Sequence, residues 1–140
     1  YPSPLGTQYF TQYAAAPAAG TEGCVPSFSR ACLQKRRFAV DVTYDASIFG
    51  GSSGPATPLM ESDVSLKFSF FQPENLELLL KIIDGCSYNG HYWVFFSGLT
   101  NVAVSLRITD MLNGAVYSYD NPHGVTLVPA LDIQALACQY

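Results

Sequence analysis

The chain has 140 residues, of which 49% are hydrophobic and 13% charged, and its formal net charge is -4. This composition predicts one folded domain with an extension, excludes an intrinsically disordered chain, and argues against a general nucleic-acid-binding protein. No uninterrupted apolar run reaches the length of about 18 residues that a transmembrane helix requires, so we expect no membrane span.

The first 21 residues contain no Asp, Glu, Lys or Arg. Between residues 5 and 13 they are rich in β-forming residues, and an extended chain would place alternate side chains on opposite faces. We predict that residues 1–21 are an extended segment that packs on its own domain as an edge strand, or adds as a donor strand to the sheet of a neighbouring copy. The residues predicted to mediate this self-association are Leu5, Thr7, Tyr9, Phe10, Thr11 and Tyr13.

The four cysteines are Cys24, Cys32, Cys86 and Cys138, and none belongs to a CxxC pair. Because the chain has only two histidines, a disulfide framework is favoured over a zinc site. Three pairings are formally possible. We predict Cys24 with Cys32, which closes a short loop, and Cys86 with Cys138, which ties a mid-chain turn to the last residues. Oxidised cysteines indicate an extracellular or periplasmic-type compartment.

Four of the seven basic residues are close together, at Arg30, Lys35, Arg36 and Arg37. No phosphate-binding loop accompanies them. We therefore interpret them as a solvated loop leading into a strand and not as an anion site.

Alternation of apolar and polar residues predicts three strands, at 38–44, 64–70 and 102–108. The stretch 76–82 keeps the same period, and "HYWVFFSG" at 91–98 is apolar on both faces, which is typical of a central or covered strand. We interpret "IFGGSSGPATP", which follows the first strand, as a flexible surface loop because of its Gly, Ser and Pro content.

Turn residues connect these strands. Asn89-Gly90 favours a type I′ turn and a hairpin over 76–97. "DMLNG" leads to a strand "AVYSYD", and "NPHG" turns the chain toward a last strand "VTLVP". The sequence thus predicts about seven strands over residues 22–140, in an all-β, immunoglobulin-like antiparallel β-sandwich.

Four stretches of the domain resemble an uncharacterised β-sandwich module of secreted bacterial proteins. They are "CVPS…ACL…RFAVDVTY", "FSFFQPENLELLLKIIDG", "NGHYWVFFSGLTNVAVSLRITD" and "NGAVYSYDNPHG". The resemblance extends from Cys24 to about Asp132 and implies a secreted bacterial protein with this fold. The module has no defined activity, so the resemblance implies a compartment and a fold more than a function.

Two departures from that module concern cysteines. The module's usual cysteine pair matches Cys24 and Cys32, whereas the residue after "DG", commonly Arg, is Cys86 in this chain. Cys138 lies just beyond the usual end of the module. Because both changes occur together, the resemblance supports the pairing of Cys86 with Cys138. The module is normally embedded in longer chains, whereas we expect it to stand alone here, behind the uncharged segment.

The sequence offers no clear catalytic motif. His91 and His123 lie in predicted turns, and no nucleophile-elbow serine or motif carboxylate accompanies either of them. Asp84, Asp110 and Asp120 each end a predicted strand, where aspartate is a common turn residue, and no EF-hand loop is present. We therefore predict no catalytic residue, no metal site and no cofactor.

Aromatic residues are the side chains in excess. Most occupy alternating core positions, but Tyr88, Tyr92 and Trp93 are candidates for an exposed surface that stacks on sugar rings. The hypothesis that follows is a non-enzymatic extracellular structural protein, which self-associates through its N-terminal strand into a pilus-like fibre of identical copies. The alternative is a module that binds surface glycans or another surface ligand through these three aromatic residues.

Overall fold

The computed structural model describes residues 23–138, which form a sandwich of two antiparallel sheets with five strands each. The first sheet contains β1 (Arg30–Leu33), β2 (Phe38–Asp45), β3 (Ser53–Pro55), β8 (Ala103–Asp110) and β9 (Val116–Asn121). The second sheet contains β4 (Thr57–Met60), β5 (Ser65–Ser69), β6 (Leu78–Gly85), β7 (His91–Gly98) and β10 (Ala130–Ala137). A 3-10 turn (Ser47–Phe49) and a one-turn helix α1 (Cys86–Asn89) complete the described elements.

The strand order is β1-β2-β8-β9 in the first sheet, with β3 also paired to β2, and β10-β7-β6-β5-β4 in the second. The period of two in the sequence decides which side chains meet between the sheets. Alternate residues of the long strands are almost fully buried and form one core cluster that draws on both sheets. Its largest members are Phe38, Phe68, Phe96, Leu33, Leu66, Leu78, Leu80, Ile82, Leu106 and Ile108.

The structure confirms the all-β sandwich and the hairpin over 76–97, but several local predictions are wrong. The stretch 48–58, predicted as a loop, contains the short strand β3 and the beginning of β4. Residues 125–129 are not a strand, and the last strand is β10, which follows Pro129. The described chain therefore has ten strands and not about seven.

The predicted type I′ turn at Asn89-Gly90 is also wrong. The Asp84 carboxylate accepts the Cys86 N–H at 2.9 Å and starts the single turn of α1. Of the two residues Asn89 and Gly90, only Gly90 has a positive φ, of 77°, and its N–H donates to the Cys86 carbonyl. Asn89 is the last helical residue, so the connection is a capped helical turn and not a two-residue hairpin loop.

The turn between β1 and β2 contains three successive non-glycine residues with positive φ: Gln34 (55°), Lys35 (54°) and Arg36 (69°). Such conformations each cost about 1–2 kcal/mol. Asp63 offsets part of this cost, because its carbonyl accepts the Gln34 N–H and its carboxylate accepts the Lys35 N–H, both at 2.9 Å. The Gln34 side chain donates to the Ile82 carbonyl at 2.8 Å, so the turn is fixed to the second sheet.

The interpretation of the basic cluster as solvated holds for Lys35 and Arg36, which are exposed, but is wrong for Arg37. Arg37 is 8% exposed and forms two hydrogen bonds, of 3.1 and 2.8 Å, with the fully buried carboxylate of Asp110. Its guanidinium lies 4.9 Å from the ring centroid of Tyr92 and 5.3 Å from that of Phe38. It also donates to the Cys138 carbonyl at 3.4 Å, so one side chain connects β2, β8 and the end of β10.

Both predicted disulfides are present. Cys24–Cys32 joins the chain before β1 to β1 itself, and Cys86–Cys138 joins α1 to the residue after β10. The second bridge closes a segment of 52 residues. In the chain-entropy model, a loop of this size stabilises the fold by about 4 kcal/mol.

We expect that Asp110→Ala lowers the free energy of unfolding by about 3–5 kcal/mol, because it leaves the Arg37 guanidinium buried without its carboxylate. Urea unfolding monitored by circular dichroism measures this. The control is Asp41→Ala, which breaks the half-exposed Arg30–Asp41 pair and should cost less than about 1 kcal/mol. Equal losses for the two variants would show that burial does not strengthen the Arg37–Asp110 pair.

Candidate interaction surfaces

The outer face of the first sheet is polar. It carries the ion pairs Arg30–Asp41 (2.8 Å) and Arg107–Asp120 (3.1 Å), and the Ser105 hydroxyl donates to Asp120 at 2.7 Å. These hydrogen bonds, with that of Ser105 the strongest, hold the pKa of Asp120 below its usual range. Because its polar and ion-paired side chains are stable in contact with water, this face requires no partner protein to cover it.

The outer face of the second sheet is different, and we call it the apolar face. Its side chains alternate with the buried residues of β6, β7 and β10 and point away from the core. Leu131 is 73% exposed and Leu79 is 45% exposed. The apolar face is made of Leu59, Leu79, Ile83, Trp93, Phe95 and Leu131.

Two lysines lie on the apolar face. The Lys67 ammonium pairs with Glu61 at 2.8 Å, and the Lys81 ammonium lies 5.9 Å from the ring centroid of Phe95. Between them is a shallow depression of about 500 Å³, bordered by Leu79, Phe95 and both lysine stems. Long lysine stems lie along apolar surface while the ammonium stays in water, so the two stems extend the apolar area and the charged groups lie above it.

The three aromatic residues predicted for ligand binding are not all on one surface. Tyr88, on α1, is 82% exposed, and its ring centroid lies 5.8 Å from that of Trp93. The Trp93 indole N–H donates to the Asn89 side-chain oxygen at 3.0 Å. Tyr92 is only 8% exposed and packs against Phe38 in the core, so the prediction that it contributes to this surface is wrong. Neighbouring residues of a strand point to opposite faces, and Trp93 and Tyr92 are neighbours.

Trp93 lies flat on the backbone of β6. A Cβ atom built on Gly85 would be 2.2 Å from the indole ring, so only glycine fits there. Because Gly85 is buried and has no Cβ, the indole can pack directly on the β6 backbone, and the indole in turn excludes a larger residue at position 85.

The ionisable residues singled out by the sequence are spread over the sandwich. His91 is beside α1, with Nδ1 3.0 Å from the Asn89 carbonyl oxygen. His123 is at the opposite end, where its Nε2 lies 3.7 Å from Asp45. Asp84 lies near Cys86 and Cys138, but both sulfur atoms belong to their disulfide and are not available to a metal ion. The structure therefore does not bring these groups together.

Glu77 is a buried acid that sequence reasoning missed. It is 7% exposed, and the Asn75 side chain donates to it at 2.8 Å. Burial raises the pKa of Glu77, and a hydrogen bond from Thr100 partly opposes this. Raised carboxyl pKa values often mark functional sites, but here the neighbouring groups belong to the loops that Glu77 holds together.

The residues predicted for self-association, from Leu5 to Tyr13, lie outside the described part of the chain. Within residues 23–138, no helix is long and apolar enough to cross a membrane. Comparison with known protein families, curated proteins and solved structures finds no match for this chain.

Gly85→Ala should displace the Trp93 indole from β6 and destabilise the protein by about 1–3 kcal/mol, as overpacking does. Because Trp93 is the single tryptophan, its fluorescence emission reports this directly and should move to longer wavelength. The control is Gly98→Ala, whose Cβ would be 2.5 Å from the Glu77 carbonyl. Gly98→Ala should destabilise the protein without changing the emission of Trp93. If Gly85→Ala also left the emission unchanged, the contact between Gly85 and the indole would be contradicted.

Glu77→Gln should make stability less dependent on pH. Because the folded protein holds the Glu77 proton more tightly than the unfolded chain, the wild type loses stability as pH rises from about 4 through the raised pKa. Melting temperatures measured between pH 4 and 7 should therefore diverge, with the variant increasingly favoured as pH rises. Asn75→Ala, which removes a donor from the carboxylate, should steepen the wild-type trend. Parallel curves for wild type and Glu77→Gln would refute this account.

Proposed function

We propose that this protein is a non-enzymatic structural subunit of a bacterial extracellular assembly, and that copies associate through the N-terminal segment into a fibre. The observation that carries the proposal is the contrast between the two outer faces: the first is covered by polar side chains and two ion pairs, whereas the second exposes large apolar side chains beside its Lys67–Glu61 pair. Monomeric proteins seldom expose contiguous apolar patches of more than a few hundred Å², and larger ones mark interaction sites.

The size of the apolar face is appropriate for contact with a second copy. Five strands of four to eight residues, about 4.8 Å apart, give a face of about 500 Å². Two such surfaces bury about 1,000 Å², the least that is expected of a specific interface. In this proposal a neighbouring copy covers the apolar face, while the N-terminal segment supplies the main connection between copies.

Other observations support an extracellular structural role. Both disulfides are typical of an oxidising compartment, and they fix the chain next to β1 and the end of β10. His91 and His123 lie at opposite ends of the sandwich. Asp84 accepts a hydrogen bond in a turn, and Asp110 is held in an ion pair. Because these groups do not converge on one site, they support a binding role over an enzymatic one.

A second candidate function is the binding of a glycan at the end of the sandwich that carries α1. Tyr88 and Trp93 favour it, because two partly or fully exposed rings lie 5.8 Å apart there with the polar side chains of Asn89 and His91 beside them. Aromatic rings with polar tips are common at binding surfaces.

We expect the native protein to form large species in light scattering and fibres in negative-stain electron microscopy, and deletion of residues 1–20 to abolish both. Leu79→Lys, on the apolar face, should raise the protein concentration needed for assembly by about tenfold or more, since burial of one leucine contributes about 1.5–3 kcal/mol. Thr43→Lys, on the outer face of the first sheet, is the matched control and should change little.

An unchanged oligomeric state after the deletion would contradict association through the N-terminal segment. A small species whose migration is retarded by a polysaccharide gel, and whose retardation is lost in Tyr88→Ala, would support the glycan-binding function in its place.

A further inference from the structure

Addition of a strand from another copy requires a sheet edge with free backbone hydrogen-bonding groups and a regular course. The first sheet ends in β1 and β3 at one edge and in β9 at the other, and the second sheet ends in β4 and β10. The five edge strands differ in whether they can accept a further strand.

Four of them are poor acceptors. β4 contains Pro58, and β3 ends at Pro55, and proline cannot donate a backbone hydrogen bond. β10 is interrupted by a bulge between Asp132 and Leu136. β1 has four residues, and the preceding segment is held against it by the Cys24–Cys32 disulfide.

β9 is the exception. Its six residues contain neither proline nor glycine, and they pair with β8 in unbroken register from Val116 opposite Thr109 to Asn121 opposite Val104. Within residues 23–138, the backbone of β9 pairs with no strand other than β8. Among the described residues, its second edge therefore has no strand paired to it, although the chain that leads to β10 passes close to it at Tyr119 and Val128.

The side chains of β9 show what an added strand would meet. Toward the core, Tyr117 and Tyr119 are half-buried, and Tyr119 packs edge-on against Phe96 with centroids 5.4 Å apart. The Tyr119 hydroxyl donates to the carbonyl of Val128, whose side chain is 65% exposed. Away from the core, Ser118 and Asp120 are exposed and polar. The open edge thus has an apolar inner side and a polar outer side.

The segment 5–13 matches this pattern in part. In an extended chain Leu5, Thr7, Tyr9, Thr11 and Tyr13 lie on one face, and Gln8 and Gln12 lie on the other together with the apolar Phe10. The segment is longer than β9 and has no charge that would be desolvated beside Tyr117 and Tyr119.

We propose that residues 5–13 of one copy add as a strand to the open edge of β9 in a neighbouring copy, with Leu5, Tyr9 and Tyr13 toward the core and the glutamines beside Ser118. This inference rests on the proposed self-association and names the surface that accepts the segment. Such contacts are head-to-tail and do not close on themselves, so they generate a fibre.

The position of Gly23 supports a neighbouring copy as the acceptor. The chain enters the described domain beside the β1–β2 turn, where the Cys24 N–H donates to the Arg36 carbonyl. β1 and β9 are at opposite edges of the first sheet, about 14 Å apart across three strand spacings. Residues 14–22 are long enough to span this distance, at about 30 Å when extended. To reach β9 of its own domain, however, this linker, which is uncharged up to residue 21, would cover the ion-paired face of Arg30, Asp41, Arg107 and Asp120.

Cysteine cross-linking between two variants of the full chain tests the proposal. One protein carries Gln8→Cys or Gln12→Cys, and the other carries Ser118→Cys. Neighbouring strands have Cα atoms about 4.5–5.5 Å apart, within the span of a disulfide. After mixing under assembly conditions and mild oxidation, non-reducing peptide mapping should find the new bridge between chains. The control acceptor is Thr57→Cys, an exposed position on the edge strand β4.

We expect Ser118→Cys to cross-link at least about tenfold faster than Thr57→Cys, because docking raises the local thiol concentration to about the millimolar range. Faster cross-linking at Thr57 would overturn the assignment to β9. A protein that carries both Gln12→Cys and Ser118→Cys tests the choice of copy: bridges found only within one chain would overturn the assignment to a neighbouring copy. Fibres that require residues 1–20 but show no bridge at Ser118 would overturn this inference and leave the proposed function intact. Absence of fibres in the unmodified protein would overturn both.

Discussion

The buried pair of Arg37 and Asp110 is the interaction on which the arrangement of the two sheets depends. Asp110 is at the end of β8 and also accepts the Leu112 N–H, so the turn to β9 begins at the same carboxylate. Arg37 covers Tyr92 of the second sheet and reaches the carbonyl of Cys138. The Cys86–Cys138 bridge then fixes α1 beside it. Charges removed from water at this depth are tolerated only when fully paired, which makes the geometry of this end specific.

A period of two was enough to predict β2, β5, β6 and β8, because each buries one face against the other sheet, whereas β7 was predicted from a run that is apolar on both faces. The short strands β3 and β4 could not be predicted, since their Gly- and Pro-containing sequences form strands only by pairing with β2 and β5. β10 was missed because its bulge shifts the alternation within the strand. The left-handed turn at Gln34–Arg36 depends on Asp63, nearly 30 residues away, which no local pattern reveals.

The candidate surfaces were predictable to a similar degree. A run that is apolar on both faces indicated that β7 is a central strand or one covered by a partner. β7 does lie between β6 and β10, and its outward side chains belong to the apolar face, which the sandwich itself leaves open. Alternation alone places Trp93 and Tyr92 on opposite faces of β7, so the two side chains cannot belong to one ligand-binding surface. The buried arginine was not foreseeable from a run of basic residues, because its burial depends on a carboxylate 73 positions away.

If the N-terminal segment adds to β9 as proposed, the two sides of β9 account for the absence of charge in the segment. A strand added to β9 would have Tyr117 and Tyr119 on its inner side and Ser118 and Asp120 on its outer side. A charge on the inner side would be desolvated without a partner, and a negative charge on the outer side would repel Asp120. Glutamine, threonine and tyrosine satisfy both sides through hydrogen bonds and ring contacts. In the proposed assembly, the composition of the segment is therefore set by the strand that receives it.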